Sequence, residues 1–194
     1  MAFTNYKTHE INCKIVYFGA RGCGKSANLR SIYEKTANET QGGTLSLVKE
    51  SGPTPYFDFL PVSVGEVNGY HIKMHLYTIP SNPLLSQATS TMLHGIDGAI
   101  FVVDSSPSAL AANFEAFRQM QSSIANAGVI FADLPQVVQF NKRDLPNAIE
   151  SKILKREFNG VNRTELEAIA SRSIGTLETL QAMTKLVVDR LSKS

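Results

Sequence analysis

The sequence predicts an α/β fold with a mostly parallel central sheet, one antiparallel edge strand and helices on both faces. Three observations carry this expectation. Short runs such as Ala99–Asp104 and Gln136–Phe140 have the character of strands buried on both faces of a parallel sheet. Helical periodicities separate them, giving the strand–helix alternation of an open sheet. A hairpin signal, Asn68-Gly69, adds an antiparallel pair.

In chain order, Ile11 to Phe18 is β-branched and aromatic and stops at a glycine-rich turn, Gly19 to Gly24, so it reads as a strand followed by a loop. From Lys25 onward Leu29, Ile32 and Tyr33 recur at three- and four-residue spacing and mark one face of a helix. Asn38 to Pro55 is rich in turn residues, with only Leu45 to Val48 apolar, and reads as a mobile connector. Tyr56 to Val67 reads as a strand. After Asn68-Gly69 a second strand alternates Tyr70, Ile72, Met74 and Leu76 with His71, Lys73 and His75. Thr78 to Pro83, with two prolines and an asparagine, reads as a loop. Leu110, Phe114, Phe117 and Ile124 mark a helix between the two buried strands, and Leu180, Met183, Leu186, Val187 and Leu191 mark a last one.

A chain of 194 residues suits one domain, 1–194, with a full core. With 43% hydrophobic and 19% charged residues it is neither disordered nor fibrous. A formal charge of +2, from 19 basic and 17 acidic side chains, announces neither a nucleic-acid surface nor an anionic-membrane one, so no nucleic-acid partner is expected. The apolar runs fall far short of the roughly 20 residues of a membrane helix. With no signal pattern at the N-terminus and no prenylation cysteine at the end, a cytoplasmic protein without direct membrane insertion is the expectation. Cys13 and Cys23 have neither disulfide-framework nor metal-ligand spacing and read as reduced thiols.

The sharpest motif is Gly19-Ala20-Arg21-Gly22-Cys23-Gly24-Lys25-Ser26, a phosphate-binding G-x-x-x-x-G-K-[ST] string between an apolar strand and an amphipathic helix. Glycines let successive backbone N–H groups converge on phosphate oxygens, and the helix N-terminus that continues into Ala27 adds positive potential. Lys25 can reach the β- and γ-phosphates, and the Ser26 hydroxyl can ligate Mg²⁺.

A second motif, Asn141-Lys142-Arg143-Asp144, follows a buried strand at the carboxyl edge of the sheet, where open α/β folds place ligands. A carboxylate at Asp144 can accept from the guanine N1–H and N2 amino group, which adenine cannot supply. Sites built to bond one group discriminate by about 10⁴ to 10⁵.

On these residues the chain resembles the Ras-like small GTPases. It is more closely similar to the bacterial Mgl gliding-motility GTPases, through Glu10-Ile11-Asn12-Cys13-Lys14-Ile15-Val16-Tyr17, Phe57-Asp58-Phe59-Leu60-Pro61, His75-Leu76-Tyr77-Thr78 and Asn141-Lys142-Arg143-Asp144-Leu145-Pro146-Asn147-Ala148. The resemblance spans nearly the whole chain. It implies a five- to six-stranded GTPase domain that binds GTP or GDP with Mg²⁺. It also implies a roadblock-type activator homodimer, polarity or response-regulator-type partners, recruitment to a cell pole by partners, and a role in polarity or motility. Residue by residue it carries over Lys25, Ser26, Asn141, Lys142 and Asp144, and sets Ala170 where the family's last loop offers a backbone N–H to guanine. Thr54, four residues before Asp58, takes the place of the threonine that senses γ-phosphate and Mg²⁺. Thr78 stands where most Ras-like proteins have aspartate, as in the Mgl group.

Three departures bear on hydrolysis. The Mgl pattern Thr-x-Pro-Gly-Gln reads Thr78-Ile79-Pro80-Ser81-Asn82 here, and Asn82 is one methylene shorter than the water-orienting glutamine. Pro53 replaces the arginine that acts as a finger in cis, a group that contributes about 10³ to 10⁵ in rate. Arg21 replaces a glycine beside the γ-phosphate and either crowds the water or supplies the lost charge. Very weak intrinsic hydrolysis is therefore expected, in a protein that works by docking partners. Pro53, Pro55, Pro80 and Pro83 bracket both switch segments and stiffen them.

Two alternatives remain: a working switch whose activator restores the missing groups, and a small-molecule P-loop kinase or ATPase, which Asn141 to Asp144 disfavours. His71 and His75, four residues apart on a strand and so about 13 Å apart, are too distant for one ion and read as solvent-face residues. Cys23 reads as a space-filling thiol beside the loop. Arg118, Lys152, Lys155 and Arg156 read as solvated charges.

Overall fold

The computed structural model describes residues 3–36, 48–49, 58–79, 92–159 and 163–193. Among the described residues eight strands form one sheet: β1 (Phe3–Asn5), β2 (Glu10–Phe18), β3 (Val48–Lys49), β4 (Asp58–Val67), β5 (Tyr70–Thr78), β6 (Gly98–Asp104), β7 (Gln136–Asn141) and β8 (Thr164–Glu167). Among the described residues the α-helices are α1 (Lys25–Thr36), α2 (Leu110–Asn126), α3 (Ser151–Phe158) and α4 (Thr176–Leu191). Strand order is β3-β4-β5-β2-β6-β7-β8, and β1 pairs with the start of β2. From β5 to β8 neighbours run parallel; β4 is antiparallel to β5 and β3 to β4.

The sheet is thus mostly parallel with an antiparallel edge, as the buried runs and the hairpin signal predict. Asn68 and Gly69 both have positive φ, 52° and 80°, the geometry of a two-residue turn that matches strand twist. The sheet is wider than the five or six strands the resemblance implies, because β1, β3 and β8 are short edge additions. β3 lies inside the stretch read as a connector, since two residues suffice to pair with Asp58 and Phe59. The remainder of that stretch, Tyr56 and Phe57 of the expected strand, and the loop from Pro80 to Pro83 lie outside the described residues.

Two apolar layers flank the sheet. Gly98 on β6 leaves room for Met183 and Val187 of α4, and α1 packs on the same side. On the other side Phe101 of β6 meets Phe117 of α2 and Phe158 of α3, with ring centroids 4.9 and 5.9 Å apart. Ile15, Phe101, Val102, Phe140 and Leu29 are fully or almost fully buried. This rigid centre carries both loop motifs at the carboxyl ends of β2 and β7.

Candidate nucleotide site

β2 ends at Phe18, and the next residues form a tight loop because three glycines accept positive φ: Gly19 (139°), Gly22 (76°) and Gly24 (109°). Two of them also have no space for a side chain. A Cβ at Gly19 would lie 2.3 Å from the Val102 carbonyl oxygen, and one at Gly24 would lie 2.1 Å from Asn141 Nδ2. The loop is closed by a Cys23 N–H to Ala20 O bond of 3.2 Å and opens into α1 at Lys25.

Lys25 is buried, and its ammonium donates to the Gly19 and Ala20 carbonyls at 2.7 and 3.0 Å. Burial pulls its pKa down, while Cys23 and Asp58 oppose that shift. Cys23 is fully buried and burial pushes its thiol up, which suits a packing role. Arg21, Gly22 and Ser26 are exposed. A glycine loop that runs into a helix N-terminus beside an ammonium is an arrangement that can hold phosphate oxygens.

Asn141, the last residue of β7, is buried and bridges two loops. Its Nδ2 donates to Cys23 O at 2.7 Å, and its Oδ1 accepts from Ala170 N–H at 3.0 Å. Ala170 therefore reaches the site, but its N–H is directed at Asn141, whereas the resemblance implies that it faces a base. Lys142 takes a left-handed conformation, φ 63°, and its ammonium pairs with Asp104 Oδ2 at 2.6 Å at the end of β6. Burial pushes the Asp104 carboxyl up, but Lys142 and the N–H and hydroxyl of Ser106 outweigh it and hold it below the usual carboxylate range. Asp144 faces Arg172 at 3.6 Å.

Asp104 enters the sequence reading only as the end of a buried strand, and Arg172 not at all. Each faces a motif residue from a distant part of the chain, so no local spacing announces it. The expected catalytic residues Thr54 and Asn82, with Pro53, Pro55, Pro80 and Pro83, lie outside the described residues. Just before and after those segments, Thr78 Oγ1 accepts from Asp58 N–H at 2.8 Å and donates to Asp58 Oδ2 at 3.2 Å. Asp58 is buried, and its charge acts on Lys25.

The histidine pair departs in part from expectation. His71 is exposed, but His75 is half-buried, stacked on Phe59 and bonded through Nε2 to Asn12 Oδ1 at 2.8 Å. Among the described residues no group of three or more His, Cys, Asp or Glu side chains is arranged to hold a metal ion. A cation held by a hydroxyl, water and nucleotide phosphates needs no such group.

No family model matches the chain. It is 42% identical over 193 residues to the mutual gliding-motility protein MglA of Myxococcus xanthus (strain DK1622), an alignment covering 100% of this chain and 99% of that protein. The chain belongs to the Mgl gliding-motility family of Ras-like small GTPases. Membership and the observed sheet agree: this Mgl protein carries the glycine loop after β2 and the Asn141–Asp144 turn after β7, adjacent in space. Among its described residues no helix is long and apolar enough to cross a membrane.

Proposed function

We propose that this protein binds GTP and GDP with Mg²⁺, hydrolyses GTP very slowly unaided, and acts in cell polarity or motility by docking partners. The observation that carries the reading is the 2.7 Å bond from Asn141 to Cys23 O, which joins the phosphate loop to the base-selecting turn. In this reading the backbone of Gly19, Gly22, Cys23, Gly24, Lys25, Ser26 and Ala27 holds the phosphates, and Lys25 exchanges its carbonyl partners for β- and γ-phosphate oxygens. The carboxylate of Asp144 selects guanine, while Asn141 and Lys142 hold the turn that presents it. Ala170 closes the base side from behind Asn141.

Ser26 and Thr54 would supply the hydroxyl ligands of the cation, and the buried Asp58 carboxylate, bonded to the Thr78 hydroxyl, would add nearby negative charge. Held there, Mg²⁺ would supply positive charge to offset that of the phosphates. What this chain lacks is catalytic positioning. Asn82 is short, Pro53 carries no charge, and the exposed Arg21, standing where the family pattern has a glycine, crowds the attacking water. The relative's name, mutual gliding-motility protein, supports the cellular role, and the family resemblance supports a roadblock-type homodimer and polar recruitment from the cytoplasm.

The test is turnover of tightly bound nucleotide. Protein loaded with radiolabelled GTP and Mg²⁺ is followed over hours, alone and with a roadblock homodimer. Bound GTP persisting in both conditions is the expected result. Partner-dependent conversion to GDP would instead establish a working switch, fast unaided conversion would overturn the slow-hydrolysis reading, and equal competition by ATP would overturn guanine selection.

A further inference from the structure

Polar side chains are rare in the middle of a sheet buried on both faces, yet Gln139 of β7 is 0% exposed. It forms a reciprocal amide pair with Asn28 in the first turns of α1: Asn28 Nδ2 donates to Gln139 Oε1 at 2.9 Å, and Gln139 Nε2 donates to Asn28 Oδ1 at 2.8 Å. Each amide has a second partner. Asn28 Nδ2 also donates to the Gly24 carbonyl at 3.0 Å, and Gln139 Nε2 also donates to Thr179 Oγ1 of α4 at 2.8 Å. Thr179 in turn donates to the Gly175 carbonyl at 2.6 Å.

We infer that Gln139 is a positioning residue for nucleotide binding, setting the phosphate loop through Asn28 and locking that setting to the start of α4 through Thr179. This rests on the nucleotide-binding reading above. Gln139 and Asn141 lie two residues apart on one strand and so project from the same face. Between them they engage two consecutive loop carbonyls: Asn141 takes that of Cys23 directly, and Gln139 takes that of Gly24 by way of Asn28. In a trans peptide the N–H points opposite to the carbonyl. The Cys23 carbonyl, held by Asn141, and the Gly24 carbonyl, held at 3.0 Å by both the backbone N–H and the side-chain amide of Asn28, therefore turn the N–H groups of Gly24 and Lys25 the other way.

The second arm reaches the base side. Gly175 caps α4 and follows the Ala170–Arg172 turn, whose first N–H is bonded to Asn141. A further buried pair, Ser31 Oγ and Thr176 Oγ1 at 2.7 Å, ties α1 to α4 beside it. Phosphate-holding and base-holding segments are thus joined through a buried glutamine as well as through Asn141.

A glutamine kept only for packing would have the same burial, so the test separates the two roles. Binding of GDP and of guanosine is measured by calorimetry or competition for the wild type, Gln139→Met, the double variant Asn28→Leu/Gln139→Met, and Thr179→Val with Thr179→Ser as the conservative control. Losing one aligned hydrogen bond at the loop predicts GDP binding about tenfold weaker in Gln139→Met, with guanosine within about twofold of wild type. The double variant removes both amides, so its thermal stability recovers while GDP binding stays weak. Thr179→Val weakens GDP about threefold and Thr179→Ser restores it, a milder pair that decides the matter if the core variants do not fold. Equal losses for GDP and guanosine, or wild-type GDP binding by a folded Thr179→Val protein, would overturn the inference alone. Failure of the wild type to bind GDP would overturn the nucleotide reading and this inference with it.

Discussion

Thr78 ends β5 where most Ras-like proteins have an aspartate, and its hydroxyl is used twice by Asp58, once on the backbone N–H and once on the carboxylate. An aspartate at position 78 would set two buried carboxylates against each other, whereas the Thr78 hydroxyl holds the Asp58 carboxylate. Thr78→Val keeps the shape but strands a buried N–H and a buried carboxylate. It is expected to lower stability by about 1–3 kcal/mol, and Thr78→Ser is expected to recover most of that in urea unfolding. A valine variant within about 0.5 kcal/mol of wild type, the ordinary range of surface changes, would refute the bridging role. Such pairs are hidden from sequence reading. Thr78 and Asp58 are 20 residues apart, and Gln139 and Asn28 are 111 apart. The glycine loop and Asn141–Asp144 were legible because contiguous residues do their chemistry, whereas Asp104, Arg172, Asn28 and Gln139 gain meaning only when the sheet brings strands together.

The same distinction holds for elements. β2, α1, the β4–β5 hairpin, α2, β7 and α4 follow from periodicity because each buries a regular stripe or both faces. α3 has eight residues with only Leu154 and Phe158 buried, too short for a periodic signal. β1 spans three residues and β8 four, the latter with no buried side chain, so both exist through backbone pairing to a strand already in place. α3 is held by one aromatic anchor. Phe158 is 1% exposed and meets Phe101, Phe114 and Phe117 at centroid distances of 5.9, 4.8 and 6.0 Å. The flanking ion pairs Lys152–Glu150, Lys155–Glu165 and Arg156–Glu157 are largely exposed and contribute little. Phe158→Ala is accordingly expected to cost about 3–5 kcal/mol and to raise hydrogen exchange in α3 more than in α1. A loss below about 1 kcal/mol would mean that the charges hold this helix after all.

For the molecule as a whole, buried titratable groups shape stability against pH. Burial lowers the pKa of His75 below its ordinary 6.5, aided by Lys73 and Lys14 and opposed by Glu10. The folded state therefore prefers neutral His75. Above 6.5 neither state holds the proton and the fold is unaffected; as pH falls through 6.5 the unfolded chain takes up the proton first and stability drops. The slope from this group is at most about 1.4 kcal/mol per pH unit. Asp104, whose pKa is lowered, keeps its stabilising charge until pH falls below the ordinary carboxylate range. Asp97, raised mainly by burial against a bond from the Lys14 N–H, tilts the other way, since its folded state gains the proton first. Comparing variants isolates His75 from these carboxylates. His75→Gln can keep a donor to Asn12 without titrating, so the difference in melting temperature between it and wild type should narrow or reverse in its favour from pH 7.5 to 5.5. Parallel curves across that window would show that His75 keeps its ordinary pKa in the folded protein, and that its stacking on Phe59 does not exclude water.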